Sequence, residues 1–153
     1  MTTTVRQSTS LDHNGDASSP AQTIDPQCFA NLAQAVQKYF DLMYDCDTSR
    51  FDQVFRPTVQ LHGFRDGQMV AWTAQTYRDI LDKRQSPKSL NASRADEILL
   101  MDFVSTTMAF VKVRLRINAM VFVDYLTWHC IGGQWLITSK GFHVESGGGS
   151  GPT

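Results

Sequence analysis

The chain has 153 residues with 14 basic and 15 acidic side chains, a formal net charge of −1, which suits one ordinary domain. This charge balance excludes a nucleic-acid binder that relies on a basic surface, and a polybasic membrane-surface protein. No apolar stretch reaches the roughly 18 residues of a membrane-spanning helix and no secretory signal is visible, so we expect a cytoplasmic protein whose three cysteines are reduced thiols.

Both ends of the chain differ in composition from its middle. Residues 1–24 are rich in Ser and Thr and carry no periodicity, and residues 146–153 are dominated by Gly and Ser. Such compositions are typical of tails and linkers. We therefore predict a disordered N-terminal tail at 1–24, one domain at 25–145 and a flexible Gly/Ser tail at 146–153.

The domain opens with a strong helix signal. Asp25 is a suitable N-cap, and Pro26 stands at the first helical position, where its missing N–H costs nothing. Apolar side chains then recur at helical spacing and are predicted to face inward: Phe29, Leu32, Val36, Tyr39, Phe40 and Met43.

Two short helices and a hairpin are predicted next. Thr48 is the expected cap of the second helix, and residues 65–67, Arg-Asp-Gly, form the turn of the hairpin. Thr73 is the expected cap of the third helix. Trp72 and Tyr77 stand at the two positions of a hydrophobic staple around that cap.

Strand patterns fill the rest of the domain. Segments rich in β-branched and aromatic residues are joined by short connections, which implies antiparallel hairpins. Their approximate ranges are 95–104, 108–117, 120–131 and 134–144. Three helices would then cover one face of a curved, mostly antiparallel sheet. We therefore predict the α+β class and, within it, a roll.

The short loops also predict which residues pair across the last three strands. A Gly132-Gly133 loop places Trp128 opposite Ile137 and Asp124 opposite Gly141, while the preceding loop places Val113 opposite Asp124. Both registers give one apolar interior face: Val113, Leu115, Phe122, Leu126, Trp128, Ile137, Ser139, Gly141 and His143. The outer face collects Val123, Tyr125, Thr127, Lys140 and Phe142.

Asp124 is the one formal charge on this predicted interior face, and His143 is its diagonal neighbour. Burial disfavours the charged form of a carboxyl group, and a carboxyl in that setting can serve either as a hydrogen-bond donor or as a base. The alternative is a structural Asp that holds a backbone N–H or a Tyr hydroxyl. Both interpretations stay open from the sequence.

Several motifs resemble the nuclear transport factor 2-like superfamily, in its lumazine-binding and SnoaL-like branch. They are 55–57 (Phe-Arg-Pro), 96–98 (Asp-Glu-Ile), 124–126 (Asp-Tyr-Leu) and 140–143 (Lys-Gly-Phe-His), within a resemblance that covers about 27–144. It implies a cone-shaped roll with a pocket between the first helix and the concave sheet. The pocket lining it suggests is Phe40, Met43, Trp72, Val113, Phe122, Leu126, Trp128, Ser139 and Gly141.

A second resemblance, to the ketosteroid isomerases, concerns chemistry. Residues 35–39 are similar to the segment that carries the oxyanion-hole Tyr of those enzymes, and 123–126 to the strand that carries their protonated Asp. The resemblance implies Tyr39 and Asp124 as an oxyanion pair. The basic Asp of those enzymes would fall near Leu61, so His62 is the nearest substitute base, although alternation along its strand favours an outward His62.

These observations leave more than one class of function. The first is an isomerase, dehydratase or cyclase that moves protons on a carbonyl compound with catalytic Asp124, Tyr39, His62 and His143. The second is a non-catalytic protein that binds a flat heterocycle, and the third is a protein-interaction module. We expect no cofactor and no metal, because the His and Cys residues lack ligand spacing, and a homodimer through the outer sheet face.

Overall fold

A long helix opens the described part of the chain, residues 23–147 of the computed structural model. This helix, α1 (Pro26–Asp45), begins as predicted, because the Asp25 side chain accepts a hydrogen bond of 2.7 Å from the backbone N–H of Cys28. The predicted inward side chains are buried apart from Phe29, which is 52% exposed. That prediction was wrong because Phe29 lies in the first turn, where it packs against the ring of Phe103.

A 3-10 helix at Thr48–Gln53 follows α1, and its cap differs from the prediction by one residue. The Asp47 side chain, not Thr48, accepts the hydrogen bond from the backbone N–H of Ser49. The chain then enters strand β1 (Phe55–Arg65), which turns into β2 (Gln68–Thr73). Asp66 and Gly67 both have positive φ, 50° and 77°, as a two-residue hairpin turn with the correct twist requires.

Helix α2 (Ala74–Lys83) is capped as predicted. The Thr73 side chain accepts a hydrogen bond of 3.2 Å from the backbone N–H of Thr76. The rings of Trp72 and Tyr77 stack with their centroids 6.1 Å apart, which confirms the staple across the cap. Tyr77 and Leu81 are the buried residues of this helix.

The last strands form the predicted meander, and all six strands belong to one sheet. These strands are β3 (Asp96–Phe103), β4 (Met108–Ile117), β5 (Met120–Ile131) and β6 (Gln134–Ser146). The spatial order is β2-β1-β6-β5-β4-β3, and every neighbouring pair is antiparallel except β1 and β6. This curved sheet with N-terminal helices confirms the α+β roll.

The register of the meander follows the prediction until it meets a bulge in β6. Val113 pairs with Asp124, and Trp128 pairs with Ile137, as the loops predict. The next pair along β5 and β6 is Thr127 with Ser139, so Thr138 is an extra residue on β6. Beyond this bulge Asp124 faces Phe142.

The bulge reverses the two faces of β6 after Thr138. Lys140 and Phe142 point into the interior, only 4% and 8% exposed, while Ser139 and His143 are exposed. Gly141 pairs with Tyr125 on the outer side. The predicted interior positions of Ser139, Gly141 and His143 are therefore wrong, because one inserted residue turns the side chains that follow it, as far as Val144, to the opposite face.

Strand β1 keeps a simple alternation that decides the position of His62. Its inward residues Val59, Leu61 and Gly63 are buried. His62 lies on the other face, where it pairs with Gly141 of β6, so the alternative of a pocket-lining His62 is wrong. Gly63 is required where it stands, since an added Cβ would lie 2.6 Å from Cζ of the inward Phe142 ring.

The tails predicted at 1–24 and 146–153 lie mostly outside the described residues and stay predictions. Within residues 23–147, neither helix combines the length and the apolar character that a membrane crossing would need.

Candidate active site

A cleft of about 730 Å³ opens between α2 and the turn that joins β4 to β5. Its walls are partly apolar and partly basic. The lining includes Arg65, Trp72, Ile80, Lys83, Arg84 and Leu90 on one side, and Ile117, Asn118, Ala119, Met120 and Phe122 on the other.

A narrow throat of about 20 Å³ extends this cleft into the core. Cleft and throat share part of their lining, namely Arg65, Trp72, Arg84, Ile117 and Phe122. The throat alone also reaches the side chains of Tyr77, Asp124, Lys140 and Phe142. The interior charges of the molecule are therefore connected to its surface cleft.

These interior charges belong to a cluster of four polar side chains. Asp124 and Lys140 are 1% and 4% exposed, and Lys140 Nζ lies 3.6 Å from Asp124 Oδ2. Lys140 Nζ also donates a hydrogen bond of 3.1 Å to Tyr77 Oη. The Tyr39 hydroxyl donates to the same Asp124 Oδ2. The other carboxylate oxygen, Oδ1, is buried and has no hydrogen-bond partner among the described residues.

The buried surroundings of the cluster keep the Tyr39 hydroxyl protonated. Burial, and then the charge of Asp124, raise the pKa of Tyr39 well above its ordinary value, so its hydroxyl stays a donor at physiological pH. Lys140 Nζ lies over the rings of Tyr39 and Tyr77, 5.2 and 4.8 Å from their centroids, where a cation is attracted to the π-system.

Stacked aromatic rings form one wall of the throat. The Trp72 ring lies between two others, 6.1 Å from Tyr77 and 5.2 Å from Phe142, with interplanar angles of 12° and 15°. Phe142 takes its place in this stack only because the bulge turns it inward. The stack connects α2, β2 and β6. It includes Tyr77, whose hydroxyl oxygen accepts the hydrogen bond from Lys140 Nζ.

The structure brings together two of the four predicted catalytic residues. Asp124 and Tyr39 are in contact, with Tyr39 behind the carboxylate and outside the throat lining. His62 and His143 lie on the outer face of the sheet, away from this cluster. Asp124 does hold a Tyr hydroxyl, as the structural interpretation proposed, but it also borders a cavity, which that interpretation did not include.

The predicted pocket lining divides in the same way. Trp72 and Phe122 border both the cleft and its throat. Ser139 is exposed and Gly141 lies on the outer side, both as a result of the bulge. The remaining predicted lining residues are packed in the core, away from both cavities: Phe40, Met43, Val113, Leu126 and Trp128.

Sequence reasoning missed Lys140, Tyr77, Arg65 and Arg84. The predicted register placed Lys140 outside, and one signal argued against that register: it also placed Phe142, a large apolar ring, outside and Gly141 inside. A bulge in β6 between Ile137 and Lys140 would have removed this inconsistency.

Comparison with known proteins agrees with the fold described above. The sequence profile of the family described as "Putative lumazine-binding" matches residues 27–143, which is well over half of the chain. The chain belongs to this family. Its fold is that of the nuclear transport factor 2-like superfamily, which confirms the resemblance noted from the sequence.

One curated protein and two solved structures illustrate the range of similar proteins. The protein named Aldolase FrzH, from Cladobotryum sp, is 28% identical over 107 residues, which cover 69% of this chain and 82% of that protein. A nuclear transport factor 2-like protein of unknown function from Shewanella baltica has a TM-score of 0.70 at 20% identity, covering 78% of this chain and 95% of that one. A ketosteroid isomerase-like protein from Erwinia carotovora atroseptica has a TM-score of 0.63 at 12% identity, covering 80% and 99%.

Proposed function

We propose that this member of the family is an enzyme that moves protons on a small carbonyl compound bound in the cleft, with only its reacting group in the throat. The observation that carries the proposal is the Asp124–Lys140 pair, two buried charges that border a cavity opening to the surface. Buried charges are costly, and they are concentrated where chemistry needs them. The proposed steps use only side chains of this chain.

Asp124 is the proposed base. Tyr39 holds its Oδ2, which leaves Oδ1 to accept a proton from the carbon next to the substrate carbonyl. The electron pair of the broken C–H bond moves to the carbonyl oxygen, and the product is an enolate. Tyr39 acts here as a positioning residue that orients the carboxylate.

Lys140 is the proposed partner of the enolate oxygen. One of its three N–H bonds points to Tyr77 Oη, and the others can donate to the oxygen on which negative charge develops. The throat is narrow, at about 20 Å³, and an ammonium group stabilises an oxyanion more strongly in a buried site than in bulk solvent. The proposed base, Asp124, and the proposed oxyanion partner, Lys140, therefore lie side by side at the end of the throat.

An enolate is the common intermediate of the reactions considered from the sequence. Return of the proton to another carbon is isomerisation, loss of a leaving group at the next carbon is dehydration, and attack on a second carbonyl forms a carbon–carbon bond. The relative named Aldolase FrzH supports this class, since aldol chemistry also proceeds by removal of a proton next to a carbonyl.

Hydrogen–deuterium exchange tests the proposal without knowledge of the final product. A panel of ketones, keto acids and hydroxy-ketones in D₂O would be followed by NMR for enzyme-dependent loss of the protons next to the carbonyl. We expect the purified chain to accelerate exchange of a subset of the panel. Asp124→Asn should slow that exchange by roughly 10²–10⁴-fold, the usual effect of losing a general base.

Matched variants separate the proposed site from the outer face of the sheet. Lys140→Met should also slow exchange, whereas Ser139→Ala, at the exposed neighbouring position, and His143→Gln should leave it unchanged. Exchange that persists in a folded Asp124→Asn protein, or that disappears with His143→Gln, would contradict the proposal.

A further inference from the structure

The charges that line the cleft are of one sign. Arg65, Lys83 and Arg84 border it, and none of the described residues in its lining is acidic. Within residues 23–147 these three side chains form no ion pair, whereas Arg78 and Arg94 each pair with an Asp. The whole chain is nearly neutral, at −1, so the positive charge is a local property of the cleft.

Two of these cations stand where the cleft narrows. Arg65 ends β1 and Arg84 follows the last residue of α2, and both border the cleft and the throat. A molecule whose carbonyl reaches Asp124 from the cleft therefore passes close to both.

Arg84 also has an unused donor at this point. Its Nη1 is buried and has no hydrogen-bond partner among the described residues. A buried donor without an acceptor costs free energy, and such groups are paired in nearly all folded proteins. The Cys46 thiol lies beside the same guanidinium but is only a weak acceptor, so a bound carboxylate would be a stronger partner for Arg84.

We propose that Arg84, with Arg65 beside it, binds a carboxylate of the substrate, so that the enzyme acts on carbonyl compounds that carry an acid group. This inference rests on the proposed function for its carbonyl end. A planar guanidinium matches a carboxylate through two parallel hydrogen bonds. The apolar part of the same molecule would contact Trp72, Ile117 and Phe122 between the acid group and Lys140.

Two probes of equal shape test the acid group separately from catalysis. Binding of 2-naphthoate and of 2-naphthamide to the full chain would be measured by isothermal titration calorimetry. We expect the acid to bind at least about tenfold more tightly than the amide, because one hydrogen bond to a charged group changes the affinity by about that factor. Added NaCl should reduce the difference between the two affinities.

Variants assign that preference to particular side chains. Arg84→Gln should bring the two affinities within about threefold by weakening the acid alone, and Arg65→Gln should reduce the preference if Arg84→Gln does not fold. Arg78→Gln is the matched control, because Arg78 lies on α2, which Arg84 directly follows, but pairs with Asp52 outside the cleft. That variant should keep the full preference.

The outcomes distinguish this inference from the proposed function. Equal binding of acid and amide by the unaltered chain, or no binding of the acid up to its solubility limit, overturns the carboxylate site even if Asp124-dependent exchange is present. A preference that survives in both folded Arg variants also overturns it. A preference that Arg84→Gln abolishes, in a chain that catalyses no exchange, supports the site and rejects the enzyme.

Discussion

Asp124 and Lys140 are the two charged side chains of residues 23–147 that are almost fully buried, and they lie in a largely apolar core. Each charge is tolerated because the other lies close by, with Nζ and Oδ2 3.6 Å apart, and because Tyr39 and Tyr77 supply the nearest hydrogen-bond groups. Removing one member of such a pair leaves the other uncompensated, whereas removing both restores an apolar core. The buried pair therefore adds little to the stability of the fold, and a functional role is the better explanation for its presence.

This coupling predicts the effect of removing Lys140. Lys140→Met should lower the free energy of unfolding by about 3–5 kcal/mol, and the double variant Asp124→Leu/Lys140→Met should lose clearly less than the two single variants together. Urea denaturation measures all four corners of the cycle. Lys38→Met, at an exposed position of α1, is the control and should change stability little. Strict additivity in the cycle would show that the two charges do not interact.

The raised pKa of Tyr39 predicts that the stability of the fold changes at alkaline pH. Its pKa in the folded chain is raised above the ordinary value of 10.0 by burial, so above that pH the unfolded chain releases a proton that the folded chain keeps. The folded chain then binds more protons, and stability falls as the pH rises.

A phenylalanine substitution at Tyr39 tests whether stability falls with rising pH for this reason. Between pH 9 and pH 11 the urea midpoint of Tyr39→Phe should fall less steeply than that of the unaltered chain, although Tyr39→Phe is less stable at neutral pH because the hydrogen bond to Asp124 is lost. Tyr125→Phe, whose ring is 48% exposed, is the control. Equal slopes for Tyr39→Phe and the unaltered chain would contradict the prediction.

At the scale of elements, the decisive feature is the bulge in β6. It leaves Thr138 without an opposite residue in the register of β5 and turns Lys140 and Phe142 inward. Phe142 then lies across Gly63 of the neighbouring parallel strand and completes the stack with Trp72. The bulge therefore creates both the charged end of the throat and its aromatic wall.

The contact between Phe142 and Gly63 predicts that a single methyl group is harmful at one position of the sheet and harmless at another. Gly63→Ala should lower the free energy of unfolding by about 1–3 kcal/mol, because the ring lies where the methyl must go. Gly141→Ala is the matched control: its Cβ would meet only Tyr125 Cβ, at 3.9 Å, so its cost should be within about 0.5 kcal/mol. Thermal or urea unfolding of both variants checks this, and an equal cost at the two positions would contradict it.

At the scale of the whole molecule, the outer face of the sheet lies apart from the cleft and is the predicted dimer surface. Phe110 and Tyr125 form an aromatic pair on it with ring centroids 5.4 Å apart, and Lys112 Nζ lies 5.4 Å from the centre of the Tyr125 ring. Phe142, which the sequence placed on this face, is inside. The apolar area available there is smaller than predicted, and the homodimer stays a prediction.

Equilibrium sedimentation tests the dimer directly. We expect a species of twice the 17.2 kDa chain mass at micromolar concentration, and Tyr125→Glu should shift it to the monomer by placing like charges opposite each other. Ser139→Glu would not serve as a control, because it lies on the same face, whereas Lys38→Glu on α1 would. A 17.2 kDa species for the unaltered chain would refute the dimer.

The sequence by itself determined the features that depend on neighbouring residues. The caps of α1 and α2, the turn at Asp66-Gly67, the order of the elements and the inward position of Asp124 all follow from local hydrogen bonds and from alternation along a strand. Only the tertiary structure brought Arg65 and Arg84 to one cleft, since they are distant in the sequence. It also decided the inward turn of Lys140, because β6 must pair with β1 and β5 at once in a curved sheet. The strand meets that demand with register shifts at Thr138 and at Glu145, and their positions depend on both partners rather than on the local sequence.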